Sequence, residues 1–431
     1  MPAFRVDRPD GLTGELPSRV RTLGTVLGLC LIVAWAAWWA GNLRRDAMTL
    51  GGSTWVPPLT FLAGDFKVHI DHVARLQAAG VDPYRRADDW VCALYPYPPM
   101  IARVFAWVAW FPKDTAAAIW QAALAGCYVV GGVAAWRARR RLGSAEIPAP
   151  LVVAAVLFGT PALFAMERGQ SDPMVIPILI ASAWLLGRRG NWAEVAAGAI
   201  LGATAWLKYY PGIAVVAPLA LGRWRAVAAF VVVVAAIGVV DRDGFARSVR
   251  NGRATAVVMA DKVRFVHPTK HSIVESWPAI GVVHRSKVLR KLPGAVAALI
   301  LLAPAVVVVG RRFARAAGPG PLTLPFLLWL VAAATFAMPY SLDYNLVPLT
   351  LAALALWDRR DGWAIHAAMG LLLLYWQPFA LPIGGPVLLA IKLSGLYAAG
   401  ASLCRRAGRA APANRPVGAR LVGAGRVGYA R

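Results

Sequence analysis

Long apolar runs separated by short polar segments make up most of the chain. Many of these runs approach the roughly 20 residues that an α-helix needs to cross a bilayer, and they do not alternate as half-buried strands do. We therefore predict an all-α, polytopic membrane protein with about twelve transmembrane helices. The predicted spans lie at about residues 22–42, 116–136, 148–166, 173–187, 193–208, 210–222, 226–240, 293–310, 322–338, 342–357, 363–381 and 386–403.

A shorter apolar piece at residues 98–112 contains Arg103, and its length leaves open whether it crosses the membrane or re-enters on the same side. Short cytoplasmic loops are rich in arginine and lysine. If this piece does not cross and the N-terminus is cytoplasmic, all the short arginine clusters fall on the cytoplasmic side, which favours this arrangement. The clusters comprise Arg137, Arg139, Arg140, Arg141, Arg188, Arg189, Arg223, Arg225, Arg311, Arg312, Arg315, Arg359, Arg360, Arg405, Arg406 and Arg409.

The same arrangement divides the rest of the chain between the two faces. The outer face receives the loops 43–97 and 241–292 and the shorter segments 166–173, 207–211 and 338–345. We expect residues 1–404 to form a single transmembrane domain. The tail 405–431 is rich in Ala, Gly, Arg and Pro, which predicts a basic, disordered cytoplasmic segment that touches anionic lipid headgroups.

Composition supports the membrane assignment and excludes other classes. Only 16% of the 431 residues are charged, whereas soluble domains carry about 25%. The formal net charge of +25 does not predict a nucleic-acid partner, because the arginines lie in short clusters between apolar runs. The cysteines, Cys30, Cys92, Cys127 and Cys404, have no metal-ligand spacing. We therefore expect no metal, no other cofactor and no disulfide framework.

The stretch "GDFKVHIDHVARLQAAGVDPY" at residues 64–84 predicts an amphipathic helix on the outer membrane surface. Its apolar positions are Phe66, Ile70, Val73 and Leu76 or Gln77. Its wetter positions are Lys67, Asp71 and Arg75. Gly80 is placed to cap its C-terminal end. Asp65 lies at the first turn, where the pattern leaves two roles open: a helix cap or a base held at the helix start.

Other polar side chains lie at the predicted outer edge of the membrane, where ionisable groups are costly and indicate function. Each also has an ordinary structural interpretation. Residues 166–173 are equally typical of a capped loop, and Lys208 of a lysine that extends towards the headgroups. The candidate substrate-binding residues are Arg168, Gln170, Lys208, Tyr209, His267, Lys270, His271, Asp343 and Tyr344.

Six segments occur in an order that matches a known group of enzymes. They are an Asp just after the first span, "AAGVDPY", "YPYPPM", "RGQSDPMVIPILIASAWLL", "AAGAILGATAWLKYYPG" and "PYSLDYNLVPLTLAAL", between about Asp65 and Leu356. In this order they resemble glycosyltransferase family 87, GT-C-type membrane enzymes related to mannosyl- and arabinosyltransferases. The "SLDY" segment lacks a His that some mannosyltransferase relatives carry there.

The resemblance implies an inverting, metal-independent enzyme of the plasma membrane. It implies transfer of a sugar, mannose foremost, from a polyprenyl-phosphate donor to a glycolipid or glycan acceptor on the outer (periplasmic) face. Within the family pattern the Asp after the first span is the general base, which maps to Asp65, with Asp71 as the alternative.

The residue types suit that chemistry. A sugar hydroxyl that attacks an anomeric carbon needs a carboxylate within hydrogen-bond reach to accept its proton. Arg168, Lys208 and the basic loop 241–292 are suited to stabilise negative charge on a leaving phosphate. Two other classes stay open at this point: a transporter or flippase for a lipid-linked or anionic solute, and a scaffold that binds polyprenyl lipids.

Overall fold

The fold is taken from a computed structural model. It describes residues 17–46, 65–83, 97–144, 146–188, 190–262, 272–277, 280–316, 320–338, 341, 343–358, 360–374 and 385–410. Within these ranges the chain is helical and contains no strand. The all-α fold class predicted from the apolar runs is therefore confirmed.

The described elements follow one another with short connections. The α-helices are α1 (Ser18–Asp46), α2 (His72–Ala78), α3 (Pro99–Val104), α4 (Lys113–Arg141), α5 (Ala149–Leu157), α6 (Thr160–Arg168), α7 (Val175–Leu186), α8 (Asn191–Leu207), α9 (Val216–Ala220), α10 (Trp224–Val240), α11 (Arg242–Lys262), α12 (Ile273–Ser276), α13 (Gly281–Arg285), α14 (Gly294–Arg315), α15 (Thr323–Ala337), α16 (Val347–Leu356), α17 (Trp363–Leu374) and α18 (Gly385–Ala410). A π-helix, Phe66–Asp71, leads directly into α2. Short 3-10 helices lie at Ala106–Trp110, Asp172–Met174, Tyr210–Val215, Leu289–Lys291 and Asp343–Leu346.

The number of membrane-crossing helices is smaller than the apolar runs predict. Four described helices are long and apolar enough to cross, namely Ser18–Gly41, Lys113–Arg141, Gly294–Arg315 and Gly385–Arg409. Two bent pairs raise the number to six if each forms one span. They are Ala149–Leu157 with Thr160–Arg168, bent by 53°, and Trp224–Val240 with Arg242–Gly252, bent by 91°. The chain is thus a membrane protein, but about twelve spans are not confirmed.

Several remaining apolar runs fold into helices of 10–17 residues. Such helices fall short of the roughly 20 residues needed for a full crossing. The predicted span at residues 148–166 illustrates the cause, because Gly159 and Pro161 divide it into α5 and α6. A count of apolar runs does not register breaks of this kind.

The ambiguous piece at residues 98–112 forms two short helices, α3 and Ala106–Trp110, which meet at Phe105. Each is about 10 Å long at a rise of 1.5–2.0 Å per residue, a third of the hydrocarbon thickness. It therefore does not cross as one continuous helix. Phe105 instead packs edge-on against Trp120 of α4, with ring centroids 4.8 Å apart.

The core of the bundle lies in α15 and α16, whose side chains are almost all buried. Trp329 of α15 donates its indole N–H to the carbonyl oxygen of Leu396 in α18 at 2.8 Å. Elsewhere small residues bring helices together: a Cβ at Gly198 of α8 would lie 1.9 Å from the carbonyl oxygen of Ala226 in α10. Small residues at such contacts are typical of membrane bundles.

Helix α4 shows that the polar contacts gather at two opposite ends. Trp120, in its second turn, donates to the carbonyl oxygen of Gly169 at 2.9 Å. Arg139, near its other end, donates to the carbonyl oxygen of Leu354 at 3.1 Å. These contacts lie about 28 Å apart along the helix axis, close to the thickness of a bilayer core. We refer to them as the Gly169 end and the arginine end.

The arginine end joins segments that are distant in sequence. The start of α1 contacts the connection after α4 through Arg21 and Glu146, 3.0 Å apart. The end of α18 contacts the α16–α17 connection through Arg405 and Asp361, 2.6 Å apart. Basic residues from both termini of the bundle thus share one end, as the predicted arginine clusters require.

Candidate active site

The predicted amphipathic helix begins at Asp65 and continues through the π-helix into α2. Its predicted apolar face is confirmed by the burial of Phe66, Ile70 and Val73. This face rests on the protein, because the rings of Phe66 and Trp120 pack with centroids 4.8 Å apart. Gly80 has a φ of 74° and ends the helix as expected.

Asp71 does not lie on the wetter side that the helix pattern predicted. It is only 3% exposed, and its carboxylate accepts hydrogen bonds from Arg75 at 2.7 and 3.0 Å. Arg75 also donates to the carbonyl oxygen of Phe111 at 2.9 Å. Asp71 therefore fixes α2 against the neighbouring loop, and the geometry favours Asp65 over Asp71 as the candidate base.

The turn after α6 carries the predicted polar side chains. Gly169 follows the helix in the left-handed conformation, with φ 66°, which glycine adopts without strain. The backbone N–H of Gln170 then donates back to the carbonyl oxygen of Ala165 at 2.9 Å. This closure directs Arg168, the last helical residue, and Gln170 towards the start of the Asp65 helix.

Asp65 is held by two donors from that turn. Its Oδ1 accepts from Arg168 Nη2 at 2.5 Å, and its Oδ2 accepts from Gln170 Nε2. The carboxylate makes no cap hydrogen bond to its own helix, so the alternative of a helix cap is wrong. Trp120 supports both partners at once, because it packs on Phe66 and binds the Gly169 carbonyl oxygen.

A second carboxylate, Asp172, lies deeper behind the first. Its Oδ1 accepts from the Tyr210 hydroxyl and from Asn345 Nδ2, both at 2.5 Å. Its Oδ2 lies 3.1 Å from the Lys208 ammonium. Three segments far apart in sequence therefore converge on one buried charge.

Gln170 links the two carboxylates. Its amide N–H binds Asp65, while its Oε1 accepts from the Tyr97 hydroxyl at 3.3 Å and from Lys208 at 3.4 Å. The Lys208 ammonium also lies 4.3 Å from the centre of the Tyr97 ring, a favourable cation–π distance. We name these connected residues the Asp65 cluster: Asp65, Tyr97, Arg168, Gln170, Asp172, Lys208, Tyr210 and Asn345.

Exposure divides the cluster into an open and a closed half. The side chains of Asp65 and Arg168 are 14% and 41% exposed. Those of Asp172 and Lys208 are only 2% and 13% exposed. A carboxylate offers about four acceptor positions, so Asp65 retains room for a hydroxyl beside its two donors. The open half is placed to meet a substrate, and the closed half holds it in position.

The electrostatic environment separates the neighbouring titratable groups. Burial lowers the pKa of His69 below its ordinary value of 6.5, although Asp65 acts in the opposite direction. Burial raises the pKa of the Tyr97 phenol. Burial opposes the charged form of Lys208, but Asp172 and Tyr97 outweigh it, so the pKa of Lys208 is raised. At neutral pH the cluster thus contains a charged lysine beside an uncharged histidine and an uncharged tyrosine.

A family model for glycosyltransferase family 87 matches residues 95–250. The chain belongs to glycosyltransferase family 87. It is therefore a glycosyltransferase and an enzyme, as the order of the motifs implied. The match contains most of the Asp65 cluster, including Gln170 and Asp172, whereas Asp65 precedes it and Asn345 follows it. No curated protein and no solved structure matches the chain.

The remaining predicted site residues of this glycosyltransferase have different surroundings. The Tyr209 hydroxyl lies 2.6 Å from Ser248 Oγ, and its ring packs against Phe245 with centroids 6.1 Å apart. Tyr209 therefore contacts the start of α11 instead of the Asp65 cluster. His267, Lys270 and His271 lie outside the described residues, as does the side chain of Tyr344.

Asp343 is buried rather than open at the mouth of a helix. Its Oδ1 lies 2.6 Å from the ammonium of Lys392 in α18, and both side chains are fully buried. A direct contact between Asp343 and substrate is not consistent with this burial. The nearby amide of Asn345 is the group from this segment that reaches the Asp65 cluster, through Asp172.

Sequence reasoning missed several side chains that belong to the site. Asp172 and Asn345 stood in segments already marked as polar, and Tyr97 and Tyr210 stood in aromatic, proline-rich turns. His69 lies one helical turn after Asp65, and this spacing is the signal that indicates a shared face. For the others, only the fold brings the segments together.

Two further observations describe the Gly169 end. A cleft of about 320 Å³ lies between the end of α2, α3 and the start of α11, and its lining includes Asp82, Arg103, Asp241 and Arg247. No member of the Asp65 cluster lines it. Within the described residues, no group of three or more His, Cys, Asp or Glu side chains is arranged to hold a metal ion.

Proposed function

We propose that the enzyme is an inverting glycosyltransferase that uses a polyprenyl-phosphate sugar as donor. The acceptor is a glycolipid or glycan hydroxyl, and mannose is the sugar we assign first. The observation that carries the proposal is the Asp65 carboxylate, which two donors orient while part of it stays open. Asp65 acts as the general base.

The reaction is a single displacement at the anomeric carbon. As the acceptor oxygen bonds to that carbon, its proton passes to Asp65, and the bond between the carbon and the phosphate oxygen breaks. The polyprenyl phosphate departs with the bonding electron pair. Attack opposite to the leaving group inverts the anomeric configuration, and the protonated Asp65 later releases its proton to solvent.

Arg168 is the group best placed to stabilise the phosphate. It is the most exposed charged member of the cluster, and a guanidinium matches phosphate oxygens through paired hydrogen bonds. Lys208 adds positive charge from the closed half, because its ammonium is committed to Asp172 at 3.1 Å. We therefore assign Arg168 to the donor phosphate and Lys208 to the positioning of Gln170 and Asp172.

The distribution of arginines supports a site on the outer face of the plasma membrane. Arg21, Arg139 and Arg405 meet at the end opposite to the Asp65 cluster. Since cytoplasmic loops are enriched in arginine, we assign the arginine end to the cytoplasm. The Gly169 end then faces outward, where lipid-linked donors are consumed in this proposal.

The Asp65→Asn variant tests the assignment of the base. Asparagine keeps the shape and can still contact Arg168 and Gln170, but it cannot accept the proton. Since general bases contribute about 10²–10⁴-fold, we expect product formation from a polyprenyl-phosphomannose donor to fall by at least about 100-fold, with donor binding retained.

The matched control is Asp114→Asn, which removes an exposed carboxylate from the first turn of α4 at the same end of the bundle. It should keep wild-type turnover. Unchanged turnover in a well-folded Asp65→Asn protein would exclude Asp65 as the base. Movement of the lipid-linked sugar across proteoliposomes without any covalent product would support the transporter instead.

A further inference from the structure

A second cleft, of about 300 Å³, lies at the arginine end, on the far side of the bundle from the Asp65 cluster. It is enclosed by the ends of α4, α14 and α18, the start of α15 and the α16–α17 connection. The residues that line it include Arg141, Phe313, Leu322, Asp358, Arg360, Arg406 and Arg409. Four arginines and one aspartate give this cleft an excess of positive charge.

Three of the arginines are not neutralised. Arg141, Arg360 and Arg409 are exposed, and among the described residues none of them has an ion-pair partner. Asp358, the acidic residue in the lining, is taken up by Arg406 at 3.4 Å. The excess charge is therefore available to an anion that enters the cleft.

Arg406 forms a rigid floor for the cleft. It is only 7% exposed, and its Nη2 donates to Ser144 Oγ at 2.7 Å and to the carbonyl oxygen of Leu356 at 2.8 Å. Its Nε–H has no hydrogen-bond partner among the described residues. Buried donors are normally paired, so an unsatisfied guanidinium donor at this site is an independent sign of a missing acceptor.

One wall of the cleft is apolar. Phe313 and Leu322 are both buried, and they lie where α14 ends and α15 begins. Since α14 and α18 are candidate spans that end here, the cleft sits at the boundary between the bilayer and the water. A ligand with an anionic head and an apolar body suits a site with these two surfaces.

From these contacts we propose that this cleft binds the phosphoryl headgroup of an anionic phospholipid. Its arginines bind the phosphate oxygens, and its apolar wall contacts the first acyl carbons. The site is separate from the Asp65 cluster and does not depend on the proposed function. It anchors the arginine end of the bundle in the leaflet that carries anionic lipid.

The test uses the full chain purified in a neutral detergent, to which short-chain phosphatidylglycerol or phosphatidylcholine is added. Melting temperature is measured as a function of lipid concentration. Phosphatidylglycerol should raise the melting temperature of the wild type, and phosphatidylcholine should not. In Arg360→Gln/Arg409→Gln the apparent affinity should fall about 30-fold, because each arginine near an anionic headgroup contributes a factor of about five.

The matched control is Arg311→Gln/Arg312→Gln. It removes the same charge from exposed positions at the same end but outside the cleft, and it should keep the wild-type response. An equal loss in both double variants would overturn the proposal, since it would indicate general attraction to basic residues. Absence of any response in the wild type would overturn it as well.

A parallel titration with inorganic phosphate distinguishes the source of the anion. Little response below concentrations far above those of the lipid supports a headgroup site. A response to phosphate as strong as that to phosphatidylglycerol, lost in the same variant, would replace the lipid by a soluble phosphate. Arg141→Gln/Arg409→Gln, at equally exposed positions, provides a second variant if the first one fails to fold.

Discussion

At the residue scale, the site depends on two carboxylates whose surroundings give them different tasks. Asp172 is enclosed by Lys208, Tyr210 and Asn345, and the side chain is 2% exposed. Asp65 has donors on both oxygens but remains 14% exposed. A proton acceptor must be reached by the substrate, and a positioning group must be paired. The partners and exposure of each carboxylate, rather than its residue type, therefore decide its role.

Asp65 also shows what the sequence can and cannot predict about a site. Its position after the first span and at a helix start was readable, but a cap and a base require the same residue there. The choice depended on where the carboxylate points, and that is set by Gly169, which is more than a hundred positions further along the chain. Contacts of this kind arise from packing and leave no local periodicity.

His69 gives a prediction about pH. Its pKa is lowered by burial, so the unfolded chain binds a proton more readily than the folded protein. The stabilising contribution is complete above the ordinary value of 6.5 and is lost as the pH falls towards the lowered pKa. We expect the melting temperature of the wild type to fall below about pH 6.5, and the fall to be shallower in His69→Gln.

The comparison is made by scanning fluorimetry in detergent between about pH 5 and pH 8. His284→Gln serves as the control, because His284 is exposed and should leave the wild-type pH profile unchanged. A His69→Gln profile as steep as that of the wild type would show that other groups cause the acid sensitivity.

At the element scale, the fold is assembled from helices whose ends carry the specific contacts. The predicted apolar runs located most described helices correctly, because burial in lipid or core demands the same residue types. They did not locate the breaks, such as the bend of 53° between α5 and α6. Yet α6 ends at Arg168 and Gly169, so the short helix after that break positions the candidate site.

The buried ion pair between Asp343 and Lys392 links the 3-10 helix Asp343–Leu346 to α18 at 2.6 Å. Loss of one partner leaves the other charge buried, which costs about 3–5 kcal/mol. We therefore predict that Asp343→Asn and Lys392→Met each lower the melting temperature by about 5 °C or more. The double variant should be more stable than the sum of the two single effects predicts.

The same double variant separates a structural role from a substrate contact. If Asp343 only pairs with Lys392, the folded double variant should retain most of its transferase activity. If Asp343 binds substrate, the double variant should remain folded but lose activity. Additive destabilisation by the two single substitutions would show that the ion pair does not couple the segments.

At the scale of the whole molecule, the polar groups sort into two ends about 28 Å apart along α4. Asp65 and its partners occupy the Gly169 end, and Arg139, Arg405 and Arg406 occupy the other. The charge pattern of the sequence predicted that the arginine clusters share one side, and the described clusters do. The direction in which the bundle sits in the membrane follows from the positive-inside tendency, and labelling can measure it.

We predict that the Gly169 end faces outward. Asp114→Cys marks this end and Arg360→Cys marks the arginine end, both at exposed positions, in a background without the native cysteines. A membrane-impermeant maleimide added to intact cells should label the first variant and reach the second only after lysis, because cytoplasmic loops carry the arginines. A permeant maleimide should label both and thus control for reactivity. Labelling of Arg360→Cys alone before lysis would place the Asp65 cluster in the cytoplasm, where a polyprenyl-phosphate donor would have to be used on the inner leaflet.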